Sequence, residues 1–148
     1  MEVILMRKHN PTRYSSAVGE VWAMLTFKVK YCHPIFDIVI IRAAAERLLR
    51  EALQRYDISS KDIGFDNNHV HLTVDMGISS KPELAKKLKG YIARKLFMEH
   101  PWLKKKYFWG SGLWNPAYDA RGGDMEFYGR YIRGQKYGTK DQTKLTAF

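Results

Sequence analysis

The chain reads as an α+β fold: an antiparallel sheet formed in the order β-α-β-β-α-β, followed by an additional C-terminal helix. Two kinds of pattern predict it. EVWAMLTFKVKY (20–31) and HVHLTVDM (69–76) alternate between apolar and polar residues at or near period two, as half-buried strands do. Between and after them run two apolar stripes at three-to-four spacing, the mark of helices that cover one face of a sheet. That order is the ferredoxin-like, RRM-like arrangement, with both helices on one face and the other face open.

The elements follow in order. The first strand is rich in β-branched and aromatic residues and ends at His33 and Pro34. Asp37 is placed to cap the first helix, whose core stripe is Ile41, Ala45, Leu48, Leu49, Ala52, Leu53 and Tyr56. Strands over 61–65 and 69–76 are joined by Asp66, Asn67 and Asn68, residues suited to a hairpin turn. Ser80 with Glu83 three residues on is a capping box for the second helix, whose apolar face is Leu84, Leu88, Tyr91, Ile92 and Leu96, and which stops at His100 and Pro101. The aromatic stretch YFWGSGLW (107–114) is the expected fourth strand, with Gly110 and Gly112 permitting a bend. After Arg121-Gly122-Gly123, DMEFYGRYIRGQ reads as a short helix capped by Asp124 and weakened by Gly129 and Gly134.

Length and composition fit one domain over 1–148: a core over about 20–119, the last helix over about 124–135 and a basic tail over 136–148. The first 19 and last 13 residues are poorly patterned and expected to be mobile. With 25 Lys+Arg against 15 Asp+Glu, a net charge of +10 and a pI of about 9.7, the chain favours a polyanionic partner, although a solvated lysine surface gives the same count. Cys32 is the single cysteine, which excludes an internal disulfide and a zinc ribbon, fits a reducing cytoplasmic setting and suits a small strand residue. The longest apolar run, 38–45, is broken by Arg42 and falls far short of the roughly 20 residues needed to span a bilayer, so no membrane association is expected.

Two residue groups carry chemistry. Period two puts His69, His71, Thr73 and Asp75 on one face of their strand and Val70, Leu72, Val74 and Met76 on the other. The apolar set belongs under the helices, so both imidazoles project from the open side, near enough to occupy neighbouring positions on one metal ion. Paired histidines on an exposed strand are also often plain surface residues. Tyr131 and Gln135, four apart on the last helix, share one of its faces, whereas Tyr128 has Ile132 at that spacing and is expected to pack with it. A tyrosine on an amphipathic helix is, taken alone, usually core.

Together with the element order, these residues resemble the small single-tyrosine transposases of bacterial and archaeal insertion sequences, the TnpA type of the HUH (His-hydrophobic-His) superfamily. The resemblance runs from about Val21 to Gln135 and rests on FKVKYCHPIF, NHVHLTV, LKGYIARKLF, FWGSGLW and YIRGQ. It implies that His69, His71 and Gln135 are ligands of a divalent metal, Mg²⁺ or Mn²⁺, and that Tyr131 is the nucleophile forming a covalent 5′-phosphotyrosine. It also implies that the substrate is single-stranded DNA with hairpin ends. Relatives commonly carry an acidic residue where this chain has Asn68, and NPAYDARGG (115–123) departs from the pattern.

The residue types suit that chemistry. An aryl phosphodiester is a good enough leaving group to be displaced later by a 3′-hydroxyl, and the mixed nitrogen and oxygen donors admit Mg²⁺ or, more tightly, Mn²⁺. A homodimer with composite sites is expected, His69 and His71 of one subunit meeting Tyr131 and Gln135 of the other. Lys86, Lys87, Lys89, Arg94 and Lys95 could steer a nucleic-acid backbone or be a solvated face. Two alternatives stay open: a non-catalytic RRM-like nucleic-acid-binding module, and a metal-dependent hydrolase that uses the same histidines with water.

Overall fold

The computed structural model describes residues 21–77 and 79–138, together with the backbone of the short antiparallel pair Arg13–Tyr14 and Ala17–Val18. The core elements are β1 (Trp22–Val29), α1 (Val39–Arg55), β2 (Ser60–Phe65), β3 (His69–Asp75), α2 (Lys81–Glu99), β4 (Trp114–Arg121), α3 (Met125–Arg133) and β5 (Tyr137–Gly138). The predicted β-α-β-β-α-β order holds. The five strands form one antiparallel sheet in the order β4-β1-β3-β2-β5, so the histidine strand is its middle strand.

Alternation along the strands decides the two faces. Leu25, Phe27, Val29, Ile63, Phe65, Val70, Leu72 and Val74 are buried under α1 and α2, whose predicted stripes, Ile41 to Leu53 and Leu84 to Leu96, complete the core. Ser80 caps α2 as expected, its hydroxyl accepting from the Glu83 amide. The basic residues of α2 lie on the side of the sheet away from the histidines. Lys89 points at the strand edge and donates to the carbonyls of Asn115 (2.8 Å) and Pro116 (3.4 Å).

Three expectations need correction. Asp37 does not cap α1: it sits in the preceding turn, Ile35–Asp37, and its carboxylate accepts from Lys136 Nζ at 2.9 Å and Tyr137 Oη at 2.7 Å. Cys32 is no strand residue, because β1 ends at Val29 and Tyr31 and Cys32 occupy an exposed left-handed turn at φ 62° and 56°. The fourth strand is not YFWGSGLW. Residues 104–108 close a wide helical turn, Trp109 adopts φ 51°, and β4 starts only at Trp114.

The aromatic content of that stretch reflects burial rather than extension: Phe108 and Leu113 reach the core from a turn. The strand is NPAYDAR, which alternation did not flag because β4 is an edge, exposed along most of its length. Pro116 fits there because the β1–β4 register shifts between Phe27 and Val29, placing the proline at an irregularity of an edge strand where no ladder amide is needed. Of the expected tail, Tyr137 and Gly138 pair with Phe65 and Gly64 as β5, while 139–148, like most of 1–20, lie outside the described residues. Among the described residues no helix is long and apolar enough to cross a membrane.

Candidate active site

The face opposite α1 and α2 is not open, as the alternation alone suggested. Helix α3 lies across it, and Met24, Thr26, His71, Thr73 and Asp75 are all buried there. Local sequence explains the fit. Asp124 caps α3 by accepting from the amides of Glu126 (3.0 Å) and Phe127 (3.2 Å). Ile132, fully buried, is its apolar anchor. Gly64 and Gly138, paired across β2 and β5, leave room for its last turn: a Cβ on either would stand 2.4 or 2.6 Å from the Ile132 carbonyl oxygen. Gly129 does the same above Asp62, whose carboxylate accepts from Arg133 at 2.7 Å. Thr73 is buried because its hydroxyl accepts from the Lys61 and Asp62 amides (3.3 and 3.0 Å), closing the irregularity in β2 and turning Asp62 toward α3.

This seat brings the predicted residues together within one chain. The His69 and His71 ring centroids are 4.7 Å apart, and the Tyr131 ring stands 5.2 Å from His71. Tyr131 is 47% exposed and lines a cleft of about 470 Å³ with Thr26, Lys28, both histidines, Asp119 and Arg121. Gln135, expected on the helix, lies just past its end at Arg133; it donates weakly to the Tyr131 carbonyl (3.4 Å) and its side chain also reaches His69. Tyr128 is not the core partner of Ile132 that its spacing suggested. It borders the cleft, and its hydroxyl donates to the Gly122 carbonyl at 3.3 Å. In the single chain α3 lies on its own sheet, so Tyr131 stands beside the histidines of the same chain.

Both imidazoles are held neutral. Burial pushes the His71 pKa down to about 4, helped by neighbouring His69, and burial also lowers that of His69. Their Nδ1 atoms are engaged, in His69 with Asn68 Oδ1 at 2.8 Å and in His71 with Thr26 Oγ1 at 2.7 Å. Asn68 thus holds the first histidine from the position where relatives were expected to carry an acid. His71 Nε2 is buried and has no hydrogen-bond partner among the described residues. A buried nitrogen of that kind normally faces a desolvation penalty of about 1–3 kcal/mol, which an electron-pair acceptor relieves. Two neutral imidazoles with an amide beside them therefore fit a divalent cation, although among the described residues no third His, Cys, Asp or Glu joins them.

Sequence reasoning missed Thr26, Gly64 and Asp62. An isolated glycine within a strand pattern signals close approach by another chain segment, and Gly64 carried that signal in SKDIGF. Thr26 and Asp62 had none, since their roles depend on cross-strand neighbours.

Comparison with known proteins agrees with the architecture. The chain is 32% identical over 95 residues to the ISDra2 transposase TnpA of Deinococcus radiodurans, an alignment covering 64% of this chain and 66% of that protein, just under two thirds of its length. A crystal structure of a transposase from Deinococcus radiodurans R1 superposes with a TM-score of 0.69 at 24% identity, covering 84% of this chain and 97% of the other. A REP-associated tyrosine transposase bound to a REP hairpin shares the fold more distantly, with a TM-score of 0.51, 10% identity and coverage of 82% and 68%. The family model described as "Transposase IS200 like" matches residues 17–135, most of the chain and all of the elements that build the cleft, and the chain belongs to that family.

Proposed function

We propose that this protein is a transposase that cleaves and rejoins single-stranded DNA at insertion-sequence ends through a covalent 5′-phosphotyrosine on Tyr131. The observation that carries the reading is the half-exposed Tyr131 ring 5.2 Å from His71, in a cleft where a buried imidazole nitrogen lacks a partner. Tyr131 attacks the phosphorus; a Tyr–O–P bond forms, the P–O3′ bond breaks, and the 3′-oxygen leaves as a hydroxyl. A 3′-hydroxyl later displaces the tyrosine. One phosphodiester replaces another at each step, so no nucleotide is consumed.

His69, His71 and Gln135 would hold Mg²⁺ or Mn²⁺, which supplies electrophilic stabilisation for charge on the non-bridging oxygens. The protein's own part is to place the tyrosine and to keep both rings neutral and oriented. Lys28 and Arg121 lie at the cleft, where cationic side chains favour a phosphate backbone. The substrate is DNA carrying a hairpin, as in the complex of the distant REP-associated relative. On this proposal the chain is a single catalytic domain that acts in the cytoplasm at the nucleoid, without a membrane.

The test uses labelled single-stranded DNA from the ends flanking the coding gene, with Mn²⁺, followed by denaturing electrophoresis. A DNA-linked protein band absent from Tyr131→Phe is expected. A non-catalytic binding module would give no band, and a water-using hydrolase would cut without one. A homodimer is also proposed, and whether α3 exchanges between subunits is open to complementation. Mixing His69→Ala/His71→Ala with Tyr131→Phe restores adduct on the histidine-deficient chain only if sites are composite. No adduct after demonstrated exchange would leave the single-chain site that the fold supports.

A further inference from the structure

One cross-strand row on the α3 face of the sheet runs Asp119–Thr26–His71–Gly64–Gly138, each residue the ladder partner of the next. The glycines of this row seat α3. The other three residues form a line of polar side chains leading away from it, and Thr26, like His71, is buried. Its hydroxyl lies 2.7 Å from His71 Nδ1, and the contact admits two proton arrangements. If the hydroxyl donates, Nδ1 carries the lone pair and Nε2 carries hydrogen, which would aim a buried N–H at the site. If Nδ1–H donates, Nε2 is left with its lone pair, consistent with its having no partner.

We propose that Thr26 is a positioning residue that fixes His71 as the Nδ1–H tautomer, with the Asp119 carboxylate favouring the proton on that side, so that Nε2 presents its lone pair to the cleft. The inference deepens the metal-site reading and rests on it for its function, though not for the tautomer itself. Asp119 stands directly across the ladder from Thr26, on the side of Thr26 away from His71, and its charge acts on that ring. One carboxylate oxygen accepts from Arg121 Nε at 2.9 Å, which holds the group beside the cleft, and among the described residues the other accepts no hydrogen bond. Of the two ring nitrogens, the proton is favoured on the one nearer this negative charge, Nδ1, and the Thr26 oxygen then accepts from it. The arrangement repeats, with a hydroxyl inserted, the general logic by which an outer acceptor sets the tautomer of a ligating histidine.

The experiment reads the ring nitrogens of His71 by ¹⁵N NMR in the metal-free protein near pH 7, then Mn²⁺ affinity by calorimetry. In the wild type the shifts should report a protonated Nδ1 and an unprotonated Nε2. Thr26→Val, nearly isosteric, should move the population toward Nε2–H and weaken Mn²⁺ binding about 10–100-fold. Thr26→Ser should restore both, and Asp119→Asn should shift both in the same direction as Thr26→Val but less. An Nε2–H tautomer in the wild type, or a Thr26→Val protein with unchanged shifts and affinity, overturns the proposal. Wild-type protein that binds no Mn²⁺ overturns the metal reading instead, and the metal-free shifts decide the role of Thr26 either way.

Discussion

Replacing Gly64 with alanine tests whether the seat of α3 sets the chemistry. The added Cβ would stand 2.4 Å from the Ile132 carbonyl oxygen and 2.8 Å from its Cγ2, where contacts below 3.0 Å essentially never occur. The nearest obstacle is helix backbone, so α3 must retreat by about 0.6–1.0 Å to reach an ordinary tight contact. Tyr131 immediately precedes Ile132 and moves with it. A displacement of about 1 Å at a reacting group can cost about 100-fold in rate, so adduct formation in Gly64→Ala should fall about 10–100-fold. Global stability should change little, because overpacking of about 1–3 kcal/mol falls on a peripheral helix and is partly offset by about 0.5–1 kcal/mol gained from alanine over glycine in a strand. The assay compares single-turnover adduct rates with urea midpoints, using Gly90→Ala, which meets nothing within 4 Å, as control. A wild-type rate in Gly64→Ala would show that the helix is not positioned by this seat. The outcome holds whichever subunit's helix occupies the seat, provided it docks in the same way.

The remaining predictions address the side chains. Tyr128→Phe should keep adduct formation within a few-fold of wild type, since it loses one 3.3 Å hydrogen bond to a loop carbonyl, and abolition in this variant rather than in Tyr131→Phe would reassign the nucleophile. His69→Ala and His71→Ala should remove measurable Mn²⁺ binding, while Gln135→Ala should weaken it with recovery of activity at high Mn²⁺; equal affinities in calorimetry would exclude the site. With its pKa lowered from 6.5 to about 4, His71 resists the proton in the fold while the unfolded chain accepts it. The metal-free protein should therefore lose stability as pH falls from about 6.5 to about 4, by at most ~3 kcal/mol, with no contribution from this group above that window. Urea midpoints between pH 7.5 and 5 measure this, and an identical slope in His71→Ala would refute it. Arg133→Met should loosen α3 by removing the 2.7 Å pair to the mostly buried Asp62, seen as faster amide exchange in 125–133 with β3 unchanged.

How much of this fold is legible in the chain depends on how locally each element is determined. The stripes of α1 and α2 and the apolar halves of β1 and β3 are set by a single core and survive, whereas the polar half of β3, expected to be open, is buried as well, under α3. The capping box of α2 and the Asp124 cap of α3 are contacts between residues two or three apart and were equally readable. The failures share one cause, which is tertiary context overriding composition. YFWGSGLW has the residues of a strand but turns, because Phe108 and Leu113 find the core without pairing. NPAYDAR lacks them but pairs, because an edge strand needs only one neighbour and tolerates a proline at an irregular register. Asp37 looked like a cap because it precedes a helix, yet its partners are Lys136 and Tyr137, at the far end of the chain.

The candidate site divides the same way, and the division bears on how such a site is built. His69 and His71 could be picked out because they sit on one strand at its period, and Tyr131 because its helix is readable, whereas Gln135, four residues on, falls just past the end of α3. What holds them could not be picked out. The Thr26 contact to His71 joins residues 45 apart, the Arg133–Asp62 pair residues 71 apart, and Gly64 acquires its meaning only when Ile132 arrives above it. Sheet register is the common origin of these contacts: once β1, β3 and β2 pair, Thr26, His71 and Gly64 fall into one row, and the polar and the glycine halves of that row are fixed together. The same register that leaves His71 Nε2 without a partner therefore also clears the space for the helix that carries the tyrosine. A slip of one residue in β3 would turn Val70 or Leu72 into the cleft and both imidazoles into the core. Ligand orientation and nucleophile placement are thus two consequences of one strand pairing, and substitutions at Thr26 and Gly64 should impair different steps of one reaction while leaving that pairing intact.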